Sequence, residues 1–208
     1  MARGYQDTID WYNKHALEFS QKAGSSDYGV MDEFAKLLPK GGKVLDAGCG
    51  SGRDTDAFRE MGFDTTGLDV SDGLIHEAKK NYPKSKFLVG DMRALPFKES
   101  DFDGLWAQAS LLHFENRGDV ATSLKEFNRV LKENGVLFIS VKLQTKDKTG
   151  MEYDKRFEEP RFFQYFTEKE MHELLHEAGF TLLSTRVQQS RSRAEIQWIQ
   201  VLGRKADS

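Results

Sequence analysis

Short apolar runs alternate with longer amphipathic stretches along most of this chain. The runs at 43–47, 63–68, 86–89, 102–109 and 136–141 read as strands, rich in Val, Leu, Phe and Thr. Between them, 53–61, 71–81 and 120–131 carry apolar residues at helical spacing. Strand and helix in alternation predict an α/β fold with a mostly parallel sheet. Ahead of this core, 8–21 reads as a helix with Ile9, Tyr12, Ala16, Leu17 and Phe19 as its apolar positions, and 30–38 as a second that stops at Pro39. Ser71 is a suitable N-cap, and Asn134-Gly135 a turn into the fifth strand. Thr167 and Glu170 have capping-box spacing at the head of a helix that ends near Gly179. Two final strands, 180–187 and 196–202, are expected to pair antiparallel.

The segment 143–165 breaks this pattern. It is charged, weakly patterned and long for a connection, which marks it as a candidate lid loop. The expected organisation is a single domain over 1–208. It comprises an N-terminal helical cap (1–38), a core (40–142), the candidate lid (143–165), and a C-terminal helix with a strand pair (166–205).

Composition narrows the function classes. With 38% hydrophobic residues, 15 Phe, 6 Tyr and 3 Trp, the chain can build a packed core despite 30% charged residues. Its formal charge of -3 lacks the basic footprint of a nucleic-acid binder, so a small-molecule partner is favoured. Cys49 is the only cysteine, which rules out an intramolecular disulfide. No apolar run approaches a membrane span, and the first residues lack a signal-peptide core, so a cytoplasmic protein is expected, as monomer or homodimer.

The strongest local signal is Val44-Leu45-Asp46-Ala47-Gly48-Cys49-Gly50-Ser51-Gly52-Arg53-Asp54, a strand running through a glycine-rich turn into a helix. Glycines there allow positive φ and close ligand approach. Phosphate loops, NAD sites and methyltransferases all use such a turn. The acids decide between them: carboxylates at the helix N-terminus repel a pyrophosphate but attract an ammonium or sulfonium. Asp54 also serves simply to complement the helix dipole. Further on, Asp69 ends the second strand in TGLDVS, where a carboxylate accepts both ribose hydroxyls. Asp91 and Met92 follow the third strand in VGDMRALPF, positions suited to an adenine amine and a purine face.

Together with FDGLWAQASLLHF and RVLKENGVLFISV, these segments resemble class I S-adenosylmethionine-dependent methyltransferases, clearly so over 40–142. The resemblance implies a Rossmann-like seven-stranded sheet in the order 3-2-1-4-5-7-6, strand 7 antiparallel, with helices on both faces. It also implies S-adenosyl-L-methionine as cofactor and S-adenosyl-L-homocysteine as product. Gly48, Gly50 and Gly52 would line the methionine moiety and ribose, Asp46 and Val70 would flank them, and Asp69 would hold the ribose. Asp91 and Met92 would frame the adenine, with Ala107 and Gln108 at the methionine end. WAQASLLHF and DWYNKHALEF are similar to a small-molecule subgroup of tellurite-resistance type, in which an N-terminal aromatic, here Tyr12, folds over the cofactor.

For the chemistry, His113 follows the fourth strand at the sheet edge where ligands of open α/β folds bind, and it is the candidate acid–base residue. Arg161, Tyr165 and Arg191 are candidate contacts to an anionic acceptor. No metal site is expected. The competing functions are an RNA or protein methyltransferase, a non-catalytic S-adenosylmethionine-binding module, and an NAD-dependent oxidoreductase. The position after the fourth strand reads Gln108-Ala109-Ser110-Leu111 rather than Asn-Pro-Pro-Tyr, which argues against amino-group methylation of bases by that route.

Overall fold

The computed structural model describes residues 4–22, 24, 27–144, 149–154, 157–190 and 196–206. The strands are β1 (Lys43–Ala47), β2 (Asp64–Asp69), β3 (Lys86–Val89), β4 (Phe102–Gln108), β5 (Leu131–Lys142), β6 (Gly150–Asp154), β7 (Glu159–Phe163), β8 (Phe180–Gln189) and β9 (Gln197–Lys205). Seven of them form one sheet in the order β3-β2-β1-β4-β5-β9-β8, while β6 and β7 pair only with each other. In the large sheet β9 runs antiparallel to both neighbours and the other pairings are parallel. Without the β6–β7 hairpin, this is the order 3-2-1-4-5-7-6 with the last strand reversed.

Helices α1 (Gly4–Lys14), α2 (Ala16–Gln21), α3 (Tyr28–Ala35), α4 (Arg53–Glu60), α5 (Asp72–Asn81), α6 (Arg117–Val130) and α7 (Glu168–Glu177) surround the sheet. Successive strand residues point to opposite faces, so the central strands must be apolar on both. Leu45, Leu105, Leu137 and Ile139 join the core under α6 and α7. Their neighbours Val44, Trp106, Val136 and Phe138 meet Phe34 of α3 and Phe58 of α4 on the other face. There Trp106 stacks on Phe138 with ring centroids 3.9 Å apart. Among the described residues no helix is long and apolar enough to cross a membrane.

The local punctuation is where residue chemistry placed it. Ser71 Oγ accepts the Leu74 N–H at 3.1 Å, capping α5. Thr167 and Glu170 exchange both capping-box bonds at the start of α7. Asn134 takes φ 62, and β5 takes in this turn with a register shift against β4.

Two elements differ from the expected ones. The helix expected at 8–21 begins earlier and breaks at His15, whose ring stacks on Trp11 at 4.5 Å and reaches Glu159 of β7 through Nε2 at 3.0 Å. The segment 143–165 is not a plain loop: it holds the β6–β7 hairpin. Its alternation is inverted, with Met151 and Tyr153 exposed outside and Asp154 and Arg161 buried inside. A search for apolar residues facing a core passes over such a strand.

Candidate active site

The turn after β1 opens the cavity floor. Gly48 and Gly50 have φ of 81° and 55°. A Cβ at Gly48 would lie 2.3 Å from the Ser110 Cβ, whereas at Gly50 it would meet only Phe19 Cε1, at 3.6 Å. The first glycine is required for close packing, and the second keeps the space above the turn clear. The Gly48 and Cys49 N–H groups donate to the Leu68 carbonyl of β2, at 2.7 and 3.1 Å, tying the turn to the neighbouring strand.

Asp69 ends β2 with its carboxylate across this turn. Its two oxygens accept from the Gly50 N–H at 2.8 Å and the Ser71 N–H at 2.9 Å. Burial raises its pKa, against the backbone N–H bonds that lower it. A carboxylate has about four acceptor sites, so each oxygen can take a further hydroxyl. Asp46, 2% exposed, accepts from Thr55 Oγ1 at 2.6 Å. Burial, followed by the adjacent Asp54 carboxylate, pushes its pKa up to about 8. Asp54 is gripped by Arg53 at 2.7 and 3.0 Å and receives the Trp106 indole N–H at 3.2 Å.

Above the turn lies a cavity of about 360 Å³, roofed by α1, α2 and the hairpin at the carboxyl edge of the sheet. It is lined by Tyr12, Asp46, Gly48, Gly50, Asp69, Val70, Met92, Gln108, His113 and Arg161, so most of the residues singled out in sequence converge there. Gly52 does not line it. Its φ of 89° starts α4, and a Cβ there would lie 2.6 Å from the Phe87 ring, so it serves packing. Asp91 turns away, bound by the Arg93 side chain at 2.6 and 3.0 Å. Ala107 and Tyr165 are buried in the main core, 0% and 3% exposed, and neither reaches the cavity. Arg191, like Arg193, lies outside the described residues.

Several lining residues carried little sequence signal. Phe19, Phe157, Phe163 and Trp198 supply aromatic walls from four separate segments. Lys142 closes an apolar strand with a cation, the one cue that was readable. Ser110 follows Ala109, a non-glycine residue at φ 54, and its buried hydroxyl has no hydrogen-bond partner among the described residues. Backbone strain of this kind concentrates at functional sites.

The end of the cavity away from the turn is polar and interlocked. His113 Nδ1 stands 3.2 Å from the Phe162 carbonyl, an obligate acceptor, so Nδ1 carries the proton and Nε2 accepts. Tyr12 therefore donates its hydroxyl to Nε2 at 2.9 Å and accepts from Arg161 Nη1 at 2.6 Å. Arg161 in turn holds the buried Asp154. Its guanidinium lies 4.4 Å from the Trp11 ring centroid and 5.1 Å from that of Phe163. Lys142 binds Glu152 at 3.0 and 3.2 Å with its ammonium 3.3 Å from the Phe163 centroid. Burial and then the Arg161 charge push His113 down to about 3, so the ring is neutral near pH 7.

Residues 45–139 match the methyltransferase domain family. Over this stretch, a little under half of its length, the chain is similar to S-adenosylmethionine-dependent methyltransferases. Over 98 residues it is 34% identical to malonyl-[acyl-carrier protein] O-methyltransferase of Erwinia pyrifoliae, covering 47% of this chain and 36% of that protein. The chain spans about a third to a half of the length of the curated relatives it matches. A solved S-adenosylmethionine-dependent methyltransferase of Methanosarcina mazei has the same fold, with TM-score 0.78 and 24% identity over 85% of this chain and 98% of that one. The 1,6-didemethyltoxoflavin-N1-methyltransferase of Burkholderia thailandensis, solved with 1,6-didemethyltoxoflavin and S-adenosylhomocysteine, is 26% identical, with TM-score 0.71 over 98% of this chain and 87% of that one. The likeness to the tellurite-resistance subgroup rests on the sequence segments alone.

The cavity suits the cofactor of such enzymes. Asp46 lines it with a buried carboxyl group, Asp69 has acceptor sites left for vicinal hydroxyls, and Gly50 brings backbone rather than a side chain to its floor.

Proposed function

We propose that this protein transfers a methyl group from S-adenosylmethionine to a small-molecule acceptor. The observation that carries the reading is the convergence of Asp46, Gly50 and Asp69 on one cavity that also has aromatic walls. When bound, S-adenosylmethionine supplies an electrophilic methyl on a sulfonium. Asp69 accepts the ribose hydroxyls, Val70 and Met92 flank the adenine, and Asp46 faces the ammonium. Gly48 and Gln108 border the methionine end. Tyr12 closes over the site from α1, held by His113 on one side and Arg161 on the other.

His113 is better suited to position Tyr12 than to move a proton. Both of its ring nitrogens are engaged, and its lone pair is too weakly basic to take a proton near neutrality. The acceptor occupies the aromatic end of the cavity, near Phe157, Phe163 and Trp198. Names of relatives fit this reading: one methylates a malonyl group on oxygen, another a heterocycle on nitrogen.

Calorimetric titration with S-adenosylmethionine, S-adenosylhomocysteine and NAD tests the proposal, with Asp69→Ala alongside. The first two should bind, and the variant should lose about tenfold or more, the value of a charge-assisted hydrogen bond. Binding of NAD alone, or undiminished binding by the variant, refutes the reading. A protein that binds the cofactor but methylates nothing in an acceptor screen would be a binding module instead.

A further inference from the structure

We infer that the acceptor enters this cavity as an oxyanion, a carboxylate or phenolate of a small organic molecule, received by Arg161 and Lys142. The inference rests on the methyl-transfer reading above and deepens it.

Two observations converge. The first is what the far end of the cavity offers. Arg161 is 3% exposed and Lys142 2% exposed, yet both line the cavity. The hairpin turns its charged face inward to them, so Asp154 already sits on Arg161 and Glu152 on Lys142. Both cations are thus held ready, with carboxylate-binding geometry demonstrated inside the fold. Arg161 Nε, buried, has no hydrogen-bond partner among the described residues. Nη1 already donates to Tyr12 and Nη2 to Asp154, so it is the Nε–H of this five-donor group that lacks an acceptor, and a carboxylate or phenolate oxygen supplies one. The sulfonium of a bound cofactor adds a further positive charge in the same enclosure.

The second observation is what the far end lacks. The carboxylates lining the cavity, among the described residues, are Asp46, Asp54 and Asp69, all on the turn side. At the acceptor side stand Tyr12, His113, Lys142 and Arg161, with Glu152 and Asp154 behind them bound to the two cations. His113 has its Nε2 lone pair on the Tyr12 hydroxyl. Among the described residues none there is placed to strip a proton from a neutral acceptor, and an acceptor atom that arrives without one suits such a site. An oxyanion lone pair then forms the carbon–oxygen bond as the carbon–sulfur bond breaks and its electron pair passes to sulfur. The negative charge on oxygen and the positive charge on sulfur cancel, and no proton is released.

The test begins with S-adenosylhomocysteine calorimetry on the full chain. Absence of binding overturns the cofactor reading itself, and the inference with it, before any acceptor is tried. With binding established, labelled methyl transfer is measured to matched sets on one carbon frame: carboxylic acid, its amide, phenol, amine and thiol. Transfer to the acid, or to a phenol made acidic enough by its ring substituents to be ionised at the assay pH, with the amide and amine inert, supports the inference. Base-labile methyl ester marks the carboxylate arm, and base-stable methyl ether the phenolate arm. The accepted acid or phenol should also bind the S-adenosylhomocysteine complex calorimetrically. Arg161→Gln combined with Asp154→Asn removes both charges of the buried pair and should weaken that binding about tenfold or more. These titrations are run at saturating S-adenosylhomocysteine, so that a change in cofactor affinity transmitted through Tyr12 does not enter the comparison. Lys142→Met gives a second, independent variant with the same expectation. Transfer only to amine or thiol, equal transfer to acid and amide, or no transfer to any oxyanion overturns the inference.

Discussion

Cofactor binding should drive a proton off Asp46. The carboxyl group is buried, shares its surroundings with Asp54, and has its pKa pushed up to about 8. At pH 7 such a group is about nine-tenths protonated. An ammonium brought to within about 4–6 Å lowers a carboxyl pKa by about 1–3 units, which leaves it about half to fully ionised at pH 7. Binding of S-adenosylmethionine should therefore release about four-tenths to nine-tenths of a proton. Calorimetry at pH 7 in phosphate and in Tris reads this directly, because the released proton is taken up by buffers of very different ionisation enthalpy. S-adenosylhomocysteine carries the same ammonium and should release the same amount. Methylthioadenosine lacks the amino-acid portion and should release none, as should S-adenosylmethionine binding to Asp46→Asn. Equal heats in the two buffers for the wild type would refute the reasoning, placing the ammonium elsewhere or Asp46 already ionised. The sign for stability follows from the same raised pKa. Asp46 contributes stability below its unfolded value, and that contribution is lost as pH rises from about 4 toward 8, at about 1 kcal/mol per unit.

Further expectations are independent of the cofactor. His113 has a depressed pKa, so its contribution is present above about 6.5 and lost as pH falls toward about 3; imidazole NMR should show one neutral, Nδ1-protonated tautomer from pH 5 to 9. A protonation step near pH 6.5 would contradict this. Phe58→Ala empties a site packed against Phe34 and Trp106 and should cost about 3–5 kcal/mol in denaturant unfolding, with less than about 1 kcal/mol indicating a loosely packed face. Thr167→Ala removes the cap of α7 and should cost about 1 kcal/mol, while an unchanged melting curve would show that α7 is held by packing alone.

Much of the molecule was legible in its residues because the signals are local. The glycine turn, the Ser71 cap, the Thr167–Glu170 box and the apolar strands depend on neighbours a few positions away, and short-range sterics and hydrogen bonding dictate them. Asp46 and Asp69 were found because each stands at the end of a buried strand, where the parallel sheet must expose a carboxyl edge.

Tertiary structure decided the rest. Asp91 had the right position in sequence, but Arg93 two residues on captured its carboxylate. Ala107 sits beside the lining Gln108 yet points into the core, since alternate strand positions face opposite ways, and Tyr165, past the end of β7, is buried in the same core. At the acceptor end Tyr12, His113 and Arg161 could be nominated from the chain, but their arrangement could not. Tyr12, His113, Lys142 and Arg161 come from four distant segments, and what each does depends on which partner the fold brings to it. Sequence determined that a cofactor turn and its flanking acids exist. Only the inward-facing charges of the hairpin, assembled over long range, decided that the opposite wall is cationic and that its histidine is held neutral.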